Sequence, residues 1–282
     1  MFTRWLFFLA FAAGSLMAQS DWNEPFAPHR IADGLYYVGS KGLSTYLITT
    51  GKGHILINPS FEKTVPIIQA NVEKLGFHLS DVKILLVSHA HDDHVGGLAR
   101  MKELTRAEVY IMNGDDRVIE QGGVGQYLYK ARWAPVKVNR VLRDGEQVTL
   151  GETTLTAHLT PGHTRGCTTW TMKAKDKGRP YNVVIVGSPN ANPGYQLAHN
   201  AEYAEIAGDF SRCFRVLKAL PCDIFLGAHG SYYDMAGKVK KIDSGTNPFI
   251  DPEGYKRYVE ERENSFRQTL AQQRASGKQP NN

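Results

Sequence analysis

The sequence predicts an α/β fold in which two packed β-sheets carry helices on their outer faces. Three observations lead there. Apolar runs of strand length, bounded by Gly, Asp and Asn, recur along most of the chain. Runs with helical spacing are few and fall between groups of strands. No strong linker interrupts the 282 residues, so they read as one structural domain with no second module.

Residues 1–20, MFTRWLFFLAFAAGSLMAQS, come first. A basic residue, Arg4, precedes an apolar run at 5–13 and then small residues, the layout of a secretory signal peptide. The cut falls after Ala18 or Ser20. A buried N-terminal helix is the competing reading. The leader holds no cysteine for a lipid anchor, and no later segment approaches 18 apolar residues. The mature chain, 21–282, is therefore expected to be soluble, exported to the periplasm and, by default, monomeric.

Strand-like runs at 34–38, 45–49 and 54–58 are separated by glycines and read as an antiparallel meander. A helix is expected over 65–75, where Val65, Ile68, Val72 and Leu75 share one face. The apolar run at 84–87 ends at Ser88. A helix at 95–104 and a strand at 108–112 follow. Residues 113–140 lack periodicity and read as an irregular segment beside the site. Strand, turn, strand, turn, strand accounts for 141–159, with Asp144-Gly145 and Leu150-Gly151 as the turns. Strands at 168–172 and 182–186 precede a helix at 203–220, stopped by Pro221, and a strand at 223–226. Asp251-Pro252 supplies an N-cap and a first-turn proline for a last helix, roughly 253–273. The tail from Ala275 is expected to fray.

The formal charge of +5 falls to +4 without Arg4. Basic residues are scattered apart from Lys238, Lys240 and Lys241, and no stripe with stacking aromatics exists to track phosphates, so nucleic acid is not an expected partner. Cys167, Cys213 and Cys222 cannot all pair within one chain. In an oxidising compartment the expected disulfide is Cys213–Cys222, formed where the helix packs back on the next strand.

The densest chemistry lies in His89-Ala90-His91-Asp92-Asp93-His94, directly after a strand. In an extended segment His89, His91 and Asp93 share a face, and His94 lies where the next helix begins. One segment cannot surround an ion alone. His163 in Thr160-Pro161-Gly162-His163-Thr164 and His229 in Gly227-Ala228-His229-Gly230 occupy strand exits and are the candidate partners. Imidazole and carboxylate without thiolate suit a borderline divalent ion, and zinc is the usual one outside the cell. Bound zinc brings a water to a pKa of about 7, so a hydroxide needs no serine or cysteine nucleophile. The chain offers no GxSxG near a histidine, no Walker loop and no finger-spaced cysteines. The bland alternatives are a solvated polar loop at 89–94 and ordinary loop histidines at 163 and 229.

This pattern, with its two distant histidines, resembles the metallo-β-lactamase superfamily over about residues 30–275, and within it a subclass B3 β-lactamase. The resemblance implies a four-layer αβ/βα sandwich with two zinc ions in a cleft at one edge of the sheets. It implies that His89, His91 and His163 hold the first zinc and Asp93, His94 and His229 the second, with Asp93 also positioning the hydroxide. Other β-lactamase subclasses place a cysteine ligand after the strand at 182–186. Thioesterases, lactonases and RNA-processing relatives place a bridging carboxylate there. Here the stretch reads Gly187-Ser188-Pro189-Asn190, with no Asp or Glu before Asn200. The implied activity is attack of a zinc-bound hydroxide on the β-lactam amide of penicillins, cephalosporins and carbapenems. Ser188 and Asn190 are the candidate groups for the substrate carboxylate. Tyr195 and the glycines at 122–125 are candidates to flank the cleft, and Ser88 and Thr164 to hold ligand imidazoles. The alternatives are a zinc lactonase or thioesterase of the same fold and a non-catalytic zinc-binding protein.

Overall fold

The computed structural model describes residues 21–277; the expected leader at 1–20 lies outside them. One sheet has seven strands in chain order: β1 (His29–Ala32), β2 (Leu35–Tyr37), β3 (Tyr46–Thr50), β4 (Gly53–Ile57), β5 (Val82–Leu86), β6 (Glu108–Met112) and β7 (Arg140–Leu142). It is antiparallel up to β4 and parallel beyond. The second sheet runs β12 (Ile224–Gly227), β11 (Arg179–Val186), β10 (Thr168–Asp176), β9 (Thr153–Leu159), β8 (Gln147–Leu150), and only β11 and β12 are parallel. Parallel neighbours need long crossovers. Helices α1 (Val65–Lys74), α2 (Asp92–Val95), α3 (Leu98–Thr105) and α5 (Ile206–Ala219) lie in them. Short helices α4 (Asp116–Glu120) and α6 (Met235–Val239) and the long α7 (Pro252–Ser276) complete the set.

Side chains alternate along the first sheet as a two-sided strand requires. Ile48, Ile55, Ile57, Ile84 and Leu86 enter the core between the sheets. Leu47, Leu56, Leu85 and Val87 face outward against Val65, Ile68 and Val72 of α1 and Leu98 and Met101 of α3. On the second sheet, Val183 to Val186 are all fully buried, because that strand is covered on both faces. Helices α5 and α7 pack on each other through Phe210, Phe214 and Phe266, with ring centroids 5.2 and 5.6 Å apart, and Tyr255 Oη donates to Leu217 O at 2.6 Å. Asp251 accepts from Gly254 N at 2.8 Å and caps α7, as the sequence predicted. The helix continues to Ser276, past the expected start of the frayed tail.

Two differences from the sequence reading have local causes. Strand β1 was not foreseen, because His29 and Arg30 are polar and only Ile31 and Ala32 are buried. The segment 89–94 is not extended throughout: Asp92 to Val95 form one helical turn, so Asp93 and His94 project from a helix while His89 and His91 precede it.

The sheets are bolted together at one edge. Thr168 N donates to Ser88 O at 2.7 Å, Ser44 N to Ala228 O at 3.1 Å, and Trp170 Nε1 to Val87 O at 3.2 Å. The C-terminal ends of β5, β9, β11 and β12 lead into the segments that carry the candidate site residues.

The expected Cys213–Cys222 disulfide is absent, and all three cysteines are free. Cys213 faces the core from α5 beside Phe210, Phe214 and Leu217. The Cys222 thiol instead turns to Ile224 O at 3.5 Å. Burial pushes both thiols above their ordinary range. Thiol titration of the denatured protein without reductant is expected to count the same number of thiols as titration after reduction. A smaller count before reduction would contradict the free-thiol arrangement.

Candidate metal centre

Each candidate ligand stands where a strand gives out. The segment 89–94 leaves β5, His163 follows β9 and His229 follows β12. Close packing explains the glycine before His163: Gly162 has φ +123°, and a Cβ there would meet the Phe210 ring at 2.6 Å. His229 pairs by an isolated β-bridge with Leu43, which ties its backbone to the connection between β2 and β3.

The structure brings the six predicted residues together in two overlapping groups. Ligand atoms of His89, His91 and His163 lie within 4.8 Å of one another. Asp93 Oδ2 lies 3.2 Å from His94 Nε2 and 3.3 Å from His229 Nε2, and the two imidazole nitrogens are 3.2 Å apart. Donors bound at 2.0–2.1 Å to a tetrahedral zinc stand about 3.3 Å apart, so this triangle has the edge lengths of one face of such a site. His89 is within reach of both groups, since its ligand atom also lies within 4.8 Å of those of Asp93 and His94.

The polar atoms argue for a metal independently. His89 Nδ1 and His91 Nε2 are buried with no hydrogen-bond partner, an arrangement proteins rarely tolerate. Burial pushes the imidazoles of His89 and His91 well below the ordinary histidine range, and neighbouring imidazoles add to the effect. Burial also lowers His229 and takes His163 down to about 4. Neutral imidazole is the form that binds metal. Burial alone would raise the Asp93 carboxyl, yet His94 and His229 hold it well below the usual carboxylate range. The donor set fits two zinc ions.

The orientation of His163 is fixed from behind. Its Nδ1 donates to Asn190 O at 2.7 Å, which leaves Nε2 as the free ring nitrogen. Tyr195 Oη donates to His163 O at 2.7 Å, with the two rings stacked. Tyr195 is therefore a buried support for His163 and not a wall of the metal cleft. Gln126 and Tyr129 line that cleft in place of the glycines at 122–125. Asn190 lines it too. Ser188 is buried, and its Oγ lies 3.2 Å from Tyr232 Oη. Ser88 is held by Asn58, which accepts from Ser88 N at 2.7 Å and donates to its Oγ at 3.0 Å.

Two contributors escaped the sequence reading. Asp115 lies just before α4 and is buried. It accepts from Ala90 N at 2.8 Å, Thr164 Oγ1 at 2.7 Å and Gly166 N at 2.8 Å. Burial lifts its carboxyl to about 6 against those hydrogen bonds. The Thr164 hydroxyl thus engages Asp115 and not a candidate ligand imidazole. Trp22 packs on His229 with centroids 5.1 Å apart and forms a cleft wall with Phe61 and Tyr129. The cleft has a volume of about 350 Å³. A strand-end Asp-Asp pair was the one available signal for Asp115; nothing in sequence marked Trp22.

Asp115→Asn turns an amide N–H toward a backbone N–H or a hydroxyl in a buried place. The expected loss is about 1–3 kcal/mol of stability and about 10- to 100-fold in zinc affinity. Denaturant melts and competition with a chromophoric chelator measure both, and unchanged zinc affinity would remove Asp115 from the centre.

Comparison with known proteins agrees with this geometry. A model of the metallo-beta-lactamase superfamily matches residues 41–176. The chain is 49% identical to the native FEZ-1 metallo-beta-lactamase from Legionella gormanii, covering 89% of this chain and 98% of that one, with a TM-score of 0.88. It is 36% identical to BJP-1, a subclass B3 metallo-beta-lactamase of Bradyrhizobium japonicum, over 93% of this chain and 100% of that one, with a TM-score of 0.87. Among curated proteins, the Lactamase-like protein nscB of Trichophyton verrucosum is 22% identical over 248 residues, 84% of this chain and 71% of the relative. The chain spans 52 to 59% of several other fungal relatives. With a di-metal donor set at the sheet edge and near-complete coverage of a relative at 49% identity, the chain belongs to the metallo-β-lactamase superfamily.

Proposed function

We propose that the chain is a subclass B3 zinc β-lactamase that opens the amide of penicillins, cephalosporins and carbapenems. In this reading it is exported through the leader at 1–20 and acts as a periplasmic monomer. The fold and the two donor groups support a zinc-dependent hydrolase of this superfamily. The observation that carries the finer reading is the Asp93–His94–His229 triangle, formed without cysteine and beside a segment, 187–200, that offers no bridging carboxylate. A lactonase or thioesterase of the family pattern would carry that carboxylate.

His89, His91 and His163 would hold one zinc, and Asp93, His94 and His229 the other. When bound, zinc acidifies a water and polarises a carbonyl. The chain's own groups do the rest. The Asp93 oxygen that faces both His94 and His229 is committed to them and is not a free general base. Trp22, Phe61 and Tyr129 wall the cleft with apolar surface and limit water around the scissile amide. Asn190 presents a side-chain amide in the cleft and receives the substrate carboxylate, with the buried Ser188 Oγ behind it at 3.4 Å.

Purified protein is expected to hydrolyse a penicillin, a cephalosporin and a carbapenem, to lose turnover in a chelator and to regain it with zinc. An acyl-homoserine lactone should be a poor substrate. Faster lactone than β-lactam turnover would overturn the assignment. His163→Ala and His229→Ala are each expected to lower β-lactam kcat/KM by about 100-fold or more while zinc stoichiometry falls. Undiminished rates in both variants would refute the ligand sets.

A further inference from the structure

The metal cleft does not end at Asn190. A larger groove of about 800 Å³ begins there, and both share Asn190, Asn192, Ser231 and Tyr232 as a common sill. Beyond the sill a row of rings leads away from the centre. His229 lies 5.1 Å from Tyr232, Tyr232 stacks on Tyr258 at 5.0 Å and 27°, and the Arg262 guanidinium stands 5.8 Å from the Tyr258 ring. The row presents flat aromatic surface and ends at a cation.

The charges in the groove are not balanced by use. Asp251 caps α7 and pairs with Lys238 at 2.9 Å, and Asp234 caps α6. Glu261 is exposed and comes no nearer to Arg262 than 3.8 Å. Arg262 Nε is enclosed and without a hydrogen-bond partner, and among the described residues no ion pair engages Arg257. Asp234 and Asp251 are occupied as helix caps; Arg262 has only the long 3.8 Å contact to exposed Glu261, and Arg257, which acts on Asp251 at longer range, has no ion pair within 4 Å among the described residues. At the sill, Asn190 Nδ2 makes only long contacts, 3.4 Å to Ser188 Oγ and 3.5 Å to Tyr258 Oη, and its Oδ1 has no partner.

We propose that this groove is a substrate subsite for a planar, acidic substituent that extends from the carboxylate-bearing side of the substrate. The inference rests on the β-lactam reading. In a cephalosporin the 3-substituent is attached to the carbon next to the one that bears the ring carboxylate. With that carboxylate at Asn190, the substituent points over the sill, a heteroaryl ring lies along Tyr232 and Tyr258, and its acid reaches Arg257 and Arg262. A penicillin has no corresponding extension.

The test compares cephalosporins that share one acyl side chain and differ at the 3-position: an acidic heteroaryl thiomethyl group, its neutral analogue and a pyridinium. A penicillin is the control. In Arg257→Gln/Arg262→Gln the acidic substrate is expected to lose about five- to tenfold in kcat/KM, mainly through KM, with penicillin unchanged within about twofold. In Arg257→Glu/Arg262→Glu the preference should pass to the pyridinium substrate. Equal losses for the acidic and neutral cephalosporins, or none, would overturn the subsite. Binding of the S-methylated acidic heterocycle alone, followed calorimetrically on wild type and the double Gln variant, reads the groove without turnover. A weaker Kd in the variant supports the subsite even if no β-lactam is hydrolysed, which would then be a failure of the functional reading. An unchanged Kd would end the subsite proposal.

Discussion

The buried carboxylate of Asp115 holds the geometry of the centre in place. It binds Ala90, between His89 and His91, and Thr164 and Gly166, on either side of the turn after His163. These two stretches come from different sheets. A single acidic group thus sets the distance between ligand loops that share no backbone hydrogen-bond ladder of their own. Its three donors are what make an otherwise costly buried carboxyl tolerable.

The fold makes such a clamp possible by bringing strand ends to one edge. Parallel pairing puts the exits of β5 and β6 side by side, and of β11 and β12 side by side. Inter-sheet hydrogen bonds from Thr168 and Trp170 then fix the sheets against each other just below the ligands. Loops carry the chemistry, and the sandwich supplies the rigidity that a set of metal ligands needs.

Much of this was legible in the sequence. Strand periods gave β3, β4 and β6 nearly to the residue, and the two-sheet arrangement with outer helices followed from their order. The candidate donor groups were legible because His89, His91, Asp93 and His94 cluster within six residues, and His163 and His229 sit at glycine-flanked strand exits. Other features depend on contacts that spacing does not encode. Asp115 looks like an ordinary helix-start acid until the fold lays Ala90 and Thr164 on it. Trp22 is far from His229 in sequence, and its position is set by Ser40, whose Oγ donates to Trp22 O, and by Gly42, where a Cβ would meet the indole at 2.6 Å. The cysteines mislead because nine residues of separation says nothing of side-chain direction: Cys213 belongs to the core face of α5.

Both donor groups straddle the seam between the sheets. His89 and His91 leave the first sheet and His163 the second; Asp93 and His94 follow the first and His229 the second. Each ion the centre accepts is therefore also a cross-link between two halves of the core. A ligand that binds only the assembled state raises its free energy of unfolding in proportion to the logarithm of ligand concentration over Kd. Filling the two donor groups would therefore strengthen the join between the sheets as well as supply the chemistry, and emptying them would weaken both together.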